Sequence, residues 1–120
     1  MALFTKSIQV QKTVKDGIRI CIMRRPSINA DYDIWMPVLA PSNKLLDDYQ
    51  GKKINWRIYV DIFTKEIIDS QKRYLKIINI LAIKYNLTLL CWEKKPKRCH
   101  RRLVAESCRS MNPKLTVVIK

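Results

Sequence analysis

The sequence predicts a single α/β domain, a small mixed or parallel sheet of about four strands with helices packed on it. Three observations carry that expectation. Ile18–Met23 (IRICIM) is a short β-branched run, apolar on both faces, as expected of a strand covered on both sides. Leu87–Trp92 (LTLLCW) is a second such run. The residues between them hold helical periods long enough to form the crossover that parallel strands need. A chain of 120 residues is the size of one domain, residues 1–120, and can bury a core without staples.

Taken in order, Ser7–Val10 alternates weakly, and Lys15-Asp16-Gly17 makes a turn. The Ile18–Met23 strand has Ile18, Ile20 and Ile22 on one face and Cys21 and Met23 on the other. Arg24-Arg25-Pro26 ends it, because proline has no N–H for the ladder. Pro26–Tyr32 is polar and reads as loop. Ile34–Leu39 is ambiguous, and Pro37 argues against a long element there. Ser42 is placed to cap a helix whose apolar face is Leu45, Leu46 and Tyr49, with Gly51 just past its end. Asn55 caps a second, with Trp56, Tyr59, Val60, Phe63 and Ile67 at helical spacing as far as about Ser70. Tyr74, Ile77, Ile78, Leu81 and Tyr85 mark a third, ending near Asn86. Cys99–Arg109 reads as a helix with Leu103 and Val104 inward, and Leu115–Ile119 as an edge or closing strand. The pattern leaves the pairing order open.

Twenty-four lysines and arginines against ten acidic residues give a formal charge of +14. Such a field draws polyanions, so nucleic acid or a phosphorylated small molecule is the partner to expect. A lysine-rich composition gives the same charge without function, so charge alone decides nothing. No run approaches the ~20 apolar residues of a membrane span, and no membrane partner is expected. MALFTKSIQVQK lacks the apolar core of a secretory signal, which points to the cytoplasm. In that reducing compartment Cys21, Cys91, Cys99 and Cys108 read as thiols, not a disulfide frame.

The densest chemistry is CWEKKPKRCHRR, Cys91–Arg102, with two of the four cysteines and the only histidine. It runs strand, loop, helix start, and open α/β sheets bind ligands beyond the carboxyl ends of their strands. A helix N-terminus adds free N–H groups and a partial positive charge. Arg98, Arg101 and Arg102 oppose that dipole, a departure expected at functional sites that a bound anion would relieve. An anion site is therefore expected on Arg24, Lys97, Arg98 and Arg101. The same stretch supports a thiol-dependent enzyme. Cys99 or Cys91 would be the nucleophile, His100 its base, and Glu93 an orienter or acid. A nonspecific nucleic-acid-binding module is the third reading. Zinc is not expected: the spacing is C-x7-C-H, neighbouring Cys and His side chains diverge on a helix, and no second ligand pair exists. Cys21 and Cys108 read as packing residues, and no motif calls for a cofactor.

Two blocks of residues are similar to a known family. One is Asp16-Gly17-Ile18-Arg19-Ile20 with Arg24-Arg25-Pro26 and Ile34-Trp35-Met36-Pro37-Val38-Leu39-Ala40-Pro41-Ser42. The other is Thr88-Leu89-Leu90-Cys91-Trp92-Glu93-Lys94 with Arg98-Cys99-His100-Arg101-Arg102. Together they resemble the short single-domain branch of the domain of unknown function 488 family, over a core of about residues 17–106. The resemblance implies a compact cytosolic α/β domain. It also implies that the family's motif residues fall on Cys91, Glu93, Cys99, His100 and Arg101, and on Arg24. Members of that branch usually carry a longer Trp-Pro-Arg-Gly-type loop after the first strand. Here Arg25-Pro26-Ser27-Ile28 stands in its place without the tryptophan or the glycine, which puts a backbone-wrapping role for that loop in doubt.

Overall fold

A computed structural model describes all 120 residues. The elements run β1 (Ala2–Ser7), β2 (Ile18–Cys21), β3 (Ile34–Trp35), α1 (Asn43–Gln50), α2 (Trp56–Phe63), α3 (Lys72–Lys84), β4 (Leu87–Cys91), α4 (His100–Met111) and β5 (Thr116–Val118). Single 3₁₀ turns occupy Val14–Asp16 and Pro37–Leu39, and one π-helical turn, Thr64–Ile68, prolongs α2. The five strands form one parallel sheet in the order β3-β2-β4-β1-β5. The α/β class and the parallel pairing of Ile18–Cys21 with Leu87–Cys91 match the expectation.

The first strand differs. It begins at Ala2, not Ser7, and lies inside the sheet, flanked by β4 and β5. Its register pairs Leu3 with Leu87 and Thr5 with Leu89. Two of its polar residues sink because their hydroxyls are used. Thr5 bonds the backbone of Lys120, and the Ser7 hydroxyl donates to the Trp92 carbonyl at 3.0 Å. Hydrogen bonding removes most of the cost of burying such groups. Ile34–Leu39 resolves into the two-residue edge strand β3 followed by the 3₁₀ turn that starts at Pro37.

The helices begin where local chemistry directs. Ser42 Oγ accepts from the Leu45 N–H at 3.2 Å, and Asn55 Oδ1 accepts from the Ile58 N–H at 2.9 Å. Each satisfies a donor that the first helical turn leaves free. The buried stripe of α3 is Leu75, Ile78, Asn79 and Ala82; Ile77 and Tyr85, expected on the inner face, are exposed. One apolar cluster joins Leu3, Ile20, Leu87 and Leu89 of the sheet to Leu45, Phe63, Leu75, Ile78 and Val104 of the helices. Each fully buried aliphatic side chain contributes roughly 1.5–3 kcal/mol to that layer.

Residues of the opposite sheet face, Phe4, Arg19, Cys21, Thr88 and Leu90, are also buried. Arg19 has only 1% of its surface exposed, and its guanidinium meets Asp16 at 2.5 Å and the Asp31 carbonyl at 3.0 Å. Lys6 reaches the same carboxylate at 2.9 Å. Gly17, at φ 64°, turns the chain from this cluster into β2. The effect of the topology is to bring the carboxyl ends of β2 and β4 side by side, with Ile22 N–H still bonded to the Leu90 carbonyl at 3.1 Å.

Candidate functional site

A cleft of about 400 Å³ opens beyond those two strand ends. Glu93, Cys99 and His100 face it from the loop after β4 and the start of α4. Tyr49, Trp56 and Tyr59 form an aromatic wall. The Trp56 and Tyr59 rings stack 5.0 Å apart, Tyr59 stacks on Phe63 at 5.9 Å, and Phe63 tilts against the His100 ring at 5.6 Å. Trp56 and Tyr59, read from sequence as positions of one helical stripe, thus pack and line the cleft together. Trp92 is exposed at its edge.

Cys99 and His100 do not diverge as a helical pair would. Cys99 is the N-cap, with extended backbone (φ −136°, ψ 141°), and His100 is the first helical residue. Cys99 is therefore free to turn toward β4, where Cys91 ends the strand. One nitrogen of His100 and both sulfurs lie within 4.8 Å of one another, and all three residues are buried. His100 Nε2 is 2.5 Å from the Ile22 carbonyl and 3.2 Å from Cys91 Sγ, and Nδ1 is 3.6 Å from that sulfur. A carbonyl oxygen only accepts, so the neutral ring carries its proton on Nε2. The Cys99 thiol meets Glu93 Oε2 at 3.1 Å.

Burial pushes the Cys91 thiol up, so it stays protonated. Cys99 moves the other way, well below the usual thiol range, chiefly through the hydrogen bond from Cys91 and further through His100 and Arg101. The Glu93 carboxyl is raised, first by burial and then by the negative charge on Cys99 beside it. Burial raises Cys21 and lifts Cys108 to about 12, in keeping with their expected packing role. Burial also pushes the Tyr59 phenol up.

The cations divide differently from the expectation. Arg101 is fully buried, and its guanidinium donates to the carbonyls of Glu93 at 2.8 Å and Lys120 at 3.2 Å. It braces the site loop and the last residue instead of facing the cleft. Arg24 lines the cleft but donates to the Pro41 carbonyl at 2.9 Å and the Pro37 carbonyl at 3.0 Å, tying β2 to the start of α1. Arg25 lines it too and pairs with Asp47 at 3.1 Å. Arg98 is exposed, lines the cleft and has no ion-pair partner. Lys97 is exposed and lies outside the cleft lining.

The structure thus brings together Cys91, Glu93, Cys99 and His100, which the sequence had grouped, and of the four expected cations it leaves Arg98 at the cleft without an ion-pair partner. It missed the Ile22 carbonyl, because backbone leaves no mark in a side-chain pattern. A second cavity of about 320 Å³ lies by Lys6, Lys15, Lys94 and Lys120; no thiol or imidazole lines it. No helix is long and apolar enough to cross a membrane. A family model described as DUF488-N3a, "Active DUF488-N3 subclade", matches residues 3–112. No curated protein and no solved structure matches the chain.

Proposed function

The chain belongs to the DUF488 family, and on that premise we propose that the cleft is the active site of a thiol-dependent enzyme acting on a small anionic substrate. The observation that carries the reading is the position of Cys99. Its sulfur sits in a cleft at a helix N-terminus, 3.1 Å from the Glu93 carboxylate and beside the His100 ring. Nucleophile and proton carrier within hydrogen-bond reach is the arrangement covalent catalysis needs.

In the step this geometry supports, the Cys99 sulfur forms a bond to an electrophilic centre of the substrate. The bond to the leaving group breaks, and the proton held between Cys99 and Glu93 passes to that group from Glu93. The Glu93 carboxylate then takes a proton from water, whose oxygen displaces the sulfur and restores the thiolate. His100, held by Ile22, keeps a fixed ring next to both sulfurs. The aromatic wall suits a planar or apolar portion of the substrate, and Arg98 at the mouth suits its negative charge. A phosphorylated small molecule or nucleotide fits both features.

Limiting iodoacetamide near pH 7, on reduced and chelator-treated protein, tests this with peptide mapping. Cys99 is expected to label at least ~10-fold faster than Cys21, Cys91 and Cys108. A nucleoside monophosphate or inorganic phosphate is expected to slow that labelling. Uniform, slow labelling of all four thiols removes the nucleophile. Selective labelling that ignores both anions removes the anionic substrate.

A further inference from the structure

We propose that Cys91, Cys99 and His100 form a binding site for one soft divalent metal ion of the zinc class, with its fourth position open to the cleft. The three donor residues come from the end of one strand and from the N-cap and first residue of a helix. Their ligating atoms already lie within 4.8 Å of one another with no other ligand group needed to gather them.

The donors are close to tetrahedral spacing without yet having it. Zinc–sulfur bonds of about 2.3 Å and zinc–nitrogen bonds of about 2.0–2.1 Å place a sulfur and a nitrogen about 3.6 Å apart on one tetrahedral edge. Cys91 Sγ is 3.6 Å from His100 Nδ1 but 3.2 Å from Nε2, so the ring must turn on binding to aim its Nδ1 lone pair at an ion held by that sulfur. The tautomer is the one a ligand needs. Its Nε2–H is bonded to the Ile22 carbonyl, which leaves the lone pair on Nδ1. Ligating histidines ordinarily donate their other N–H to a carbonyl or carboxylate, which fixes the tautomer and the ring direction.

Two thiolates and a neutral imidazole bind a divalent ion with no net charge left in a buried site, and the two thiol protons leave to solvent. Three protein ligands with an open position is the pattern of catalytic rather than structural zinc. Cys99 and His100 line the cleft, whereas Cys91 lies behind them, so the open position faces the cleft. There Glu93, 3.1 Å from Cys99 Sγ, is placed to hold a water on the ion. The site takes the same sulfur as the nucleophile proposed above, so an occupied site and a Cys99-linked intermediate exclude each other.

Chelator-treated, phosphine-reduced protein titrated with Co²⁺ tests the proposal. One equivalent is expected to bind with thiolate-to-cobalt charge-transfer absorption and the intense visible bands of a tetrahedral ion, and one equivalent of Zn²⁺ to bleach both. Cys91→Ser and Cys99→Ser are each expected to lose about half of the charge-transfer intensity, and His100→Ala to weaken Co²⁺ at least ~10-fold. Because those variants can fail to fold, the unmodified chain supplies a second measure: Zn²⁺ raises its melting temperature in proportion to the logarithm of free ion. A pale octahedral spectrum with no thermal shift overturns the site. So does charge-transfer intensity that neither Cys91→Ser nor Cys99→Ser reduces in folded protein. Selective labelling of Cys99 without a tetrahedral spectrum sinks the metal and keeps the nucleophile; the converse pair of results does the reverse.

Discussion

Replacing Asp16 by asparagine should remove one of the largest electrostatic contributions to this fold. Asp16 is buried, and its carboxylate accepts from Arg19 at 2.5 Å, from Lys6 at 2.9 and 3.0 Å, and from the Thr13 N–H and hydroxyl at 3.2 and 3.0 Å. Burial alone would raise its pKa, but these donors more than offset that and hold it down from 3.8 to about 2. A folded-state value below the unfolded one means stability that is present above the unfolded pKa and lost as pH falls through the folded one. The depression corresponds to about 2.5 kcal/mol at most, present at pH 5 and above and fading between about pH 4 and pH 2. Asparagine keeps the shape, loses the charge and leaves Arg19, with 1% of its surface exposed, without a counter-ion. Breaking a buried pair typically costs about 3–5 kcal/mol, so about 3 kcal/mol is expected for Asp16→Asn at pH 7. Urea unfolding of both proteins at pH 7, 5, 4 and 2.5 checks it. The gap between them should narrow by about 1.5 kcal/mol at pH 2.5, where the unfolded chain holds Asp16 protonated and the folded one is only beginning to. A gap that stays constant down to pH 2.5, or one below about 1 kcal/mol at pH 7, refutes the reasoning.

Other expected outcomes follow from single contacts. Gly17→Ala would place a Cβ 2.0 Å from the Asn86 carbonyl at a φ of 64°, so a loss of more than about 2 kcal/mol is expected in urea unfolding. Ser42→Ala and Asn55→Ala should each cost about 1 kcal/mol, and Ser42→Gly and Asn55→Gly only a few tenths, by thermal denaturation. Phe63→Ala, at a fully buried position against the His100 ring, should cost about 3–5 kcal/mol by the same measure.

What was legible in the sequence was what local chemistry writes. Ser42 and Asn55 carry their caps in the residue type, and Leu87–Cys91 carries burial on both faces in its apolar run. The strand–loop–helix order around Cys91–Arg102 was enough to bring Glu93, Cys99 and His100 to one place. What was not legible depends on distant partners. Ala2–Ser7 has only three apolar residues in a row, and Thr5 is buried because the far end of the chain meets its hydroxyl. Arg19 is charged yet lies inside the sheet because Asp16 is three residues back and Asp31 twelve ahead. Arg101 looked like an anion ligand because its fixed guanidinium fork suits carbonyl oxygens as well as phosphate. Which of the two it meets depends on the loop folded over it.

The placement of β1 has a bearing on how the chain reaches its native state. The residues numbered 2 to 7 fit between segments 87–91 and 116–118, so the centre of the sheet joins the most widely separated parts of the molecule. Closing loops of that length carries its entropic cost before any strand contact rewards it, and high contact order slows folding. During ribosomal synthesis β1 is made well before β4 and β5, so it stays unzipped until both have followed it.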